Sequence, residues 1–259
     1  MPKFCANLTM LFNEVDFLDR FEKAAKAGFK GVEYLFPYAW KKEQLVEKLS
    51  SFALTQVLHN LPAGDWNKGE RGIACLPGRE TEFQEGVGKA IEYAKALNCS
   101  QVNCLVGFTP AGVPADKVRK TLVANLRFAA VALEKEGIRL LVEAVNDRDM
   151  PGFHLVHTAD VLDLIKEVGH ANVYAQYDVY HMQVMEGNLI KTIQANLGKI
   201  AHIQIADNPG RNEPGTGEIN FPNLFKAIDA AGYKGWIGCE YKPAGKTEDG
   251  IGWMKPYRG

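Results

Sequence analysis

Residues 139–178 read RLLVEAVNDRDMPGFHLVHTADVLDLIKEVGHANVYAQYD and hold one complete repeat of the architecture. The run 139–145 is short and apolar, as a buried strand is. After a polar segment, 158–168 carries Val161, Leu164, Ile165 and Val168 at the i, i+3, i+4, i+7 spacing of a helix with one buried face. Gly169 follows, where a helix C-terminal glycine belongs. A second apolar run, 173–178, comes almost at once. Strand, helix and strand joined this closely make a βαβ unit, whose strands run parallel.

The same alternation extends in both directions. Further strands are expected at 3–8, 31–35, 55–59, 101–106, 200–205 and 236–241, which makes eight. Helical patterns fall between them at 16–27, 43–52, 80–97, 115–136, 188–197 and 222–231, three of them followed by Gly28, Gly137 or Gly232. After Tyr241 only 246–254 remains for a last helix, which is therefore short or absent. Eight βα units without a Pro/Ser-rich linker predict an α/β fold, a single (β/α)8 TIM barrel spanning 1–259 as one catalytic domain. A doubly wound sheet would want a GxGxxG or GxxxxGK[ST] loop; the chain has neither, and PGTGE at 214–218 reads as an ordinary loop.

The net charge of -1 offers no basic surplus for nucleic acid and no reason for membrane-surface binding. No apolar run approaches the eighteen residues of a membrane span. The five cysteines form no CxxC or zinc-ribbon spacing, which fits a reducing compartment. The acidic N-terminal stretch lacks the basic start of a signal peptide, so the expected location is cytoplasmic. The oligomeric state is left open, a homo-oligomer included.

In a parallel barrel the active site gathers at the C-terminal ends of the strands. Four successive strands close on oxygen donors: the fifth at Glu143, the sixth at Asp178, the seventh at Gln204 and the eighth at Glu240. A lone strand-end acid often caps a helix or pairs with arginine. Three acids in one apolar cup repel each other, and a divalent cation resolves that repulsion. Oxygen donors favour Mg²⁺ or Mn²⁺ over Zn²⁺. His181, just beyond Asp178, and His59, closing the third strand, are expected to touch substrate. His202 shares the parity of Gln204 and is expected in a second layer of the barrel. His154, His157 and His170 read as loop or surface residues. Cations for an anionic substrate are available at Arg211, Lys242 and Arg71, the last in a loop at 63–79 long enough to be a lid. Glu33, in GVEYL, is a candidate to face the cup and receives no role.

The segments FCANLTMLFNEVDFLDRF, LHNLPAGDW, RGIACLPGRE, QYDVYHMQ, HIQIADNPGRNEPGTGEIN and GWIGCEYKP span most of the chain. Together they resemble the hydroxypyruvate isomerase family of the xylose-isomerase-like barrel group. The resemblance implies that Glu143 and Glu240 are the acid/base pair and that Glu143, Asp178, Gln204 and Glu240 hold the metal. It implies a small hydroxy-oxo acid as substrate, with 2-oxo-tetronate isomerases as close relatives. Two other classes compete. A zinc-dependent AP endonuclease would share the pattern Asp178–His181, but related sites carry histidines where this chain has Gln204 and Asn103. A non-catalytic sugar-acid binding protein would not need the strand-end carboxylates.

Overall fold

The computed structural model describes residues 1–257, and the fold follows the βα alternation of the sequence. In chain order the elements are β1 (Lys3–Asn7), α1 (Arg20–Lys26), β2 (Gly31–Glu33), α2 (Lys42–Ser51), β3 (Thr55–Asn60), α3 (Glu80–Ala96), β4 (Gln101–Cys104), α4 (Ala115–Glu134), β5 (Arg139–Glu143), α5 (Thr158–Val168), β6 (Val173–Asp178), α6 (Val179–Met185), α7 (Leu189–Asn196), β7 (Ile200–Ile205), α8 (Phe221–Ala230), β8 (Trp236–Cys239) and α9 (Thr247–Gly250). All strand pairs are parallel, and β1 pairs with both β2 and β8, so the sheet closes into an eight-stranded barrel. The predicted glycines end their helices in the left-handed region: Gly28, Gly137, Gly169 and Gly232 all have positive φ. The tail after β8 is the short α9 and a 3-10 turn at Ile251–Tyr257, whose Trp253 and Tyr257 pack edge-on against Phe4. The sequence reading ends the sixth strand at Asp178 and places no helix before 188, so α6 is an addition. It starts immediately after Asp178, which accepts the Tyr180 amide at 2.8 Å and so caps it.

The main core lies between the sheet and the helices and includes Phe21, Leu45, Leu122, Leu126, Leu133 and Leu140, all fully buried. A second, smaller cluster of Cys5, Val57, Leu58, Leu141 and Ala201 fills the barrel floor. Above that apolar plug the inward side chains turn polar.

Two register irregularities decide which side chains reach the interior. Between β2 and β3, Gly31 pairs with Thr55 and Val32 with Gln56, but Glu33 pairs with Leu58. One extra residue on β3 reverses the alternation beyond it. Val57 and Leu58 both join the floor cluster, and Asn60 lines the cavity above. Between β6 and β7 the pairing steps from Ala175–Ile200 to Gln176–His202, which brings His202 and Gln204 inward. Among the described residues no helix is long and apolar enough to cross a membrane.

Candidate active site

The polar layer above the floor plug is almost continuous around the barrel. Asn7 comes from β1, Glu33 from β2, Asn103 from β4, Glu143 from β5, Gln176 and Asp178 from β6, Gln204 from β7 and Glu240 from the residue after β8. All are buried. Of these, Asn7, Glu33, Glu143, Gln176, Gln204 and Glu240 line a cavity of about 110 Å³, below the roughly 300–1,000 Å³ of drug-sized ligand sites. Its wall adds Met10, Trp66, Phe153 and the side chains of Arg71, His181 and Arg211.

A belt of hydrogen bonds ties the layer together. Asn103 Nδ2 donates to Glu143 Oε2 at 3.1 Å, and Gln176 Nε2 donates to the same oxygen at 2.9 Å. Gln176 Nε2 also meets Gln204 Oε1 at 2.6 Å. Gln204 Nε2 then donates to Glu240 Oε2 at 2.6 Å and to Glu33 Oε1 at 2.8 Å. Arg211, from the loop after β7, donates to Glu240 Oε1 at 2.8 Å and lies 3.7 Å from Asp178 Oδ2. The Arg211 loop is itself fixed by Asp207, which accepts the amides of Asn208, Gly215, Gly217 and Ile219.

The electrostatics favour a cation. Burial pushes the Glu143 carboxyl well above its ordinary range, and repulsion from Glu240 and Asp178 adds to it. Burial also raises Asp178, with Arg211 opposing. Glu240 is pushed up to about 8 by burial, again against Arg211. Asp178 Oδ2 is buried without a hydrogen-bond partner. A buried acceptor of that kind is costly unless something positive meets it. Donor atoms of Glu143, Asp178 and His181 lie within 4.8 Å of one another. The residues present therefore fit a divalent ion held mainly by oxygen.

Of the residues singled out in the sequence, Glu143, Gln204, Glu240, His181 and Arg211 line this cavity, and Asp178 adjoins its lining, with Oδ2 3.6 Å from His181 Nε2 and 3.7 Å from Arg211. His181 Nδ1 meets Asn146 Nδ2 at 2.6 Å, so its Nε2 is left facing Asp178 Oδ2 at 3.6 Å and Arg211 at 3.4 Å. Arg71 stands on the wall, its guanidinium 3.8 Å over the Trp66 ring, with Nη1 donating to the carbonyls of Trp66 and Glu70.

Two expectations need correction. His59 is fully buried on the outer side of β3, where Nδ1 approaches the Asn60 carbonyl at 3.1 Å and the Tyr38 hydroxyl at 3.4 Å. The extra residue in β3 turned it away from the cavity, and Asn60 stands there instead. Lys242 has an exposed side chain. Its contribution is backbone: its amide donates to Arg211 O at 2.8 Å and its carbonyl accepts from Asn212.

Sequence reasoning missed Asn7, Asn103 and Gln176 as members of the layer. Gln176 was within reach of it, because it lies two residues before Asp178 and so shares its face. Glu33 faces the cavity and makes a contact of 2.6 Å with His202 Nε2.

Comparison with known proteins places this geometry in context. Residues 21–257 match the family model for the xylose isomerase-like TIM barrel. The chain is 58% identical to a hydroxypyruvate isomerase of Escherichia coli (strain K12) over 258 residues, covering 100% of both chains. It is 46% identical to a 2-oxo-tetronate isomerase of Cupriavidus necator over 259 residues, again 100% of each. A crystal structure described as an AP endonuclease, family 2, from Brucella melitensis superposes with a TM-score of 0.98 at 47% identity, covering 100% of both.

Proposed function

From the premise that this chain belongs to the xylose isomerase-like TIM barrel family, we propose that it interconverts hydroxypyruvate and tartronate semialdehyde, the whole chain, 1–259, acting as one catalytic domain. It is an isomerase of the sugar-acid type. The observation that carries the finer reading is the grouping of Glu143, Asp178 and His181 donor atoms within 4.8 Å of one another, near the buried Glu240, with Asp178 Oδ2 accepting no hydrogen bond.

Glu143, Asp178, Gln204 and Glu240 would hold Mg²⁺ or Mn²⁺. Such an ion, when bound, polarises a carbonyl and its neighbouring hydroxyl and so lowers the cost of negative charge in the transition state.

The chain's own residues handle the proton. The reaction removes a proton from C3 of hydroxypyruvate and returns one to C2, while the hydroxyl proton moves from O3 to O2. Glu143 and Glu240 both line the cavity, so one carboxylate would take the C3 proton and the other carboxyl deliver one to C2. A carboxyl titrating near 8 is suited to exchanging protons near neutrality. Arg211 keeps Glu240 in place and limits its basicity. His181 Nε2 faces the same space and would donate to a substrate oxygen. The substrate carboxylate needs a cation that is not already neutralised. Arg211 is committed to Glu240 and Asp178. Arg71 lines the cavity and has no carboxylate partner among the described residues, so it would anchor the acid end.

The test is conversion of hydroxypyruvate after EDTA treatment and restoration of Mg²⁺ or Mn²⁺. Metal-dependent turnover is expected, and metal-independent turnover would remove the cation from the account. A second reading, isomerisation of a four-carbon 2-oxo-tetronate, is favoured by the 46% identical relative. Comparing kcat/KM on the two acids separates them. A nuclease reading is disfavoured: the seventh strand presents Gln204, the fourth Asn103, and neither is a histidine.

A further inference from the structure

Glu33 is fully buried at the centre of the polar layer and has no part in the proton transfer above. It accepts from four side chains: His202 Nε2 at 2.6 Å, Gln204 Nε2 at 2.8 Å, Asn7 Nδ2 at 3.0 Å and Cys5 Sγ at 3.3 Å. The site is built around it. A side chain at Gly238, on β8 on the far side of β1, would overlap both Glu33 carboxylate oxygens. Gly238 is therefore the space into which this carboxylate fits.

Two of the four donors are shared. Asn7 Nδ2 and Gln204 Nε2 each donate to Glu240 Oε2 as well, at 3.0 and 2.6 Å. Glu33 and Glu240 are thus bridged by two amide groups. A side-chain amide has one donating end and one accepting end. With a carboxylate on either side of its nitrogen, Gln204 turns its oxygen the other way, towards β6. There Oε1 meets Gln176 Nε2, which in turn donates to Glu143. The direction of the whole belt from Glu240 to Glu143 is set at the end where Glu33 sits.

We propose that Glu33 is a positioning residue: held from below by His202, it fixes the orientation of Gln204 so that the amide oxygen, not the nitrogen, is presented to the cation. Glu33 does not touch the ion. Removing its charge leaves Glu240 as the only anion beside the Gln204 nitrogen and frees the amide to turn over. This inference rests on the cation reading above.

The experiment is Mn²⁺ titration of the intact, EDTA-stripped protein, following free Mn²⁺ by electron paramagnetic resonance, with thermal unfolding measured on the same samples. Partners that orient metal ligands typically contribute about 10- to 100-fold in metal affinity. Glu33→Gln is expected to weaken Mn²⁺ binding by that factor while remaining folded at the titration temperature. Glu33→Asp, which keeps the charge, is expected to recover part of it. Should Glu33→Gln fail to fold, Gly238→Ala displaces the carboxylate without changing any charge and is expected to show the same loss. Mn²⁺ affinity equal to that of the parent chain in a folded variant, with only the melting temperature lowered, would overturn the proposal and leave Glu33 a packing residue. A parent chain that binds no Mn²⁺ would overturn the cation reading itself, an outcome distinguishable because it needs no variant.

Discussion

Replacing Arg71 by Gln isolates the anchoring of the substrate carboxylate from the chemistry. The guanidinium lies 3.8 Å over Trp66, and Trp66 packs at 5.0 Å on Phe36, so the cation is held in place before substrate arrives. Only Nη1 carries hydrogen bonds, both to backbone carbonyls. The remaining donors are available, and no acid competes for them among the described residues. A hydrogen bond to a charged partner contributes roughly 1.5–3 kcal/mol. At about 1.36 kcal/mol per factor of ten, the variant should lose roughly 10- to 150-fold in kcat/KM on hydroxypyruvate. Gln keeps length and some stacking, so the loss reports charge and not collapse of the wall. The assay compares kcat/KM on hydroxypyruvate with C–H exchange on dihydroxyacetone, the neutral counterpart in which a hydroxymethyl group replaces the carboxylate. The ratio of acid to neutral efficiency should fall by the same factor. Equal losses on both substrates would refute the anchoring argument, since a general disturbance of the site does not distinguish them.

Other expectations are independent of Arg71. Glu143→Gln and Glu240→Gln should each lower turnover by about 10²–10⁴-fold or more, measured by proton exchange at carbon under saturating substrate; near-parental rates in either would reassign the acid/base pair. The stripped protein should be less stable at pH 8 than at pH 5. Glu143, Asp178 and Glu240 have raised folded-state values, Glu240 about 8, against about 4 when unfolded. Acids of this kind favour the fold at low pH and lose that contribution as pH rises through the folded value. Thermal melts across this range, with and without Mg²⁺, check it: the decline should shrink when the ion is present, and a stripped protein that gains stability up to pH 8 would contradict it. Asp207→Ala should cost about 2–4 kcal/mol, because four loop amides lose their acceptor; denaturant unfolding measures it, and a change within 0.5 kcal/mol, about the level of an ordinary surface substitution, would show that the loop is held otherwise.

The barrel was legible because each strand of a parallel sheet covered on both faces reads as a short apolar run, and the helices as one-faced patterns, four of them closed by Gly28, Gly137, Gly169 or Gly232. The oxygen donors at the ends of strands five to eight were legible for the same reason: Glu143, Asp178, Gln204 and Glu240 interrupt apolar runs. His59 was misread because alternation along β3 is not uniform. An extra residue at Val57–Leu58 inverts the faces, and a bulge leaves no mark in a run of apolar residues. Asn7, Asn103 and Gln176 were passed over because a neutral amide in a strand has no obvious chemistry by itself. Their role emerges only when the closed barrel sets them side by side. Glu33 could be suspected of facing the cup, but its partner His202 comes from a strand 169 positions later in the chain, and nothing local pairs them.

The most direct test of the central claim is isomerisation of hydroxypyruvate in D₂O by the EDTA-treated protein, with Mg²⁺ or Mn²⁺ restored and the products followed by NMR. Proton transfer by buried carboxylates beside a divalent ion predicts metal-dependent formation of tartronate semialdehyde with deuterium entering at carbon. Absence of carbon-bound exchange on hydroxypyruvate and on four-carbon 2-oxo acids alike would contradict it.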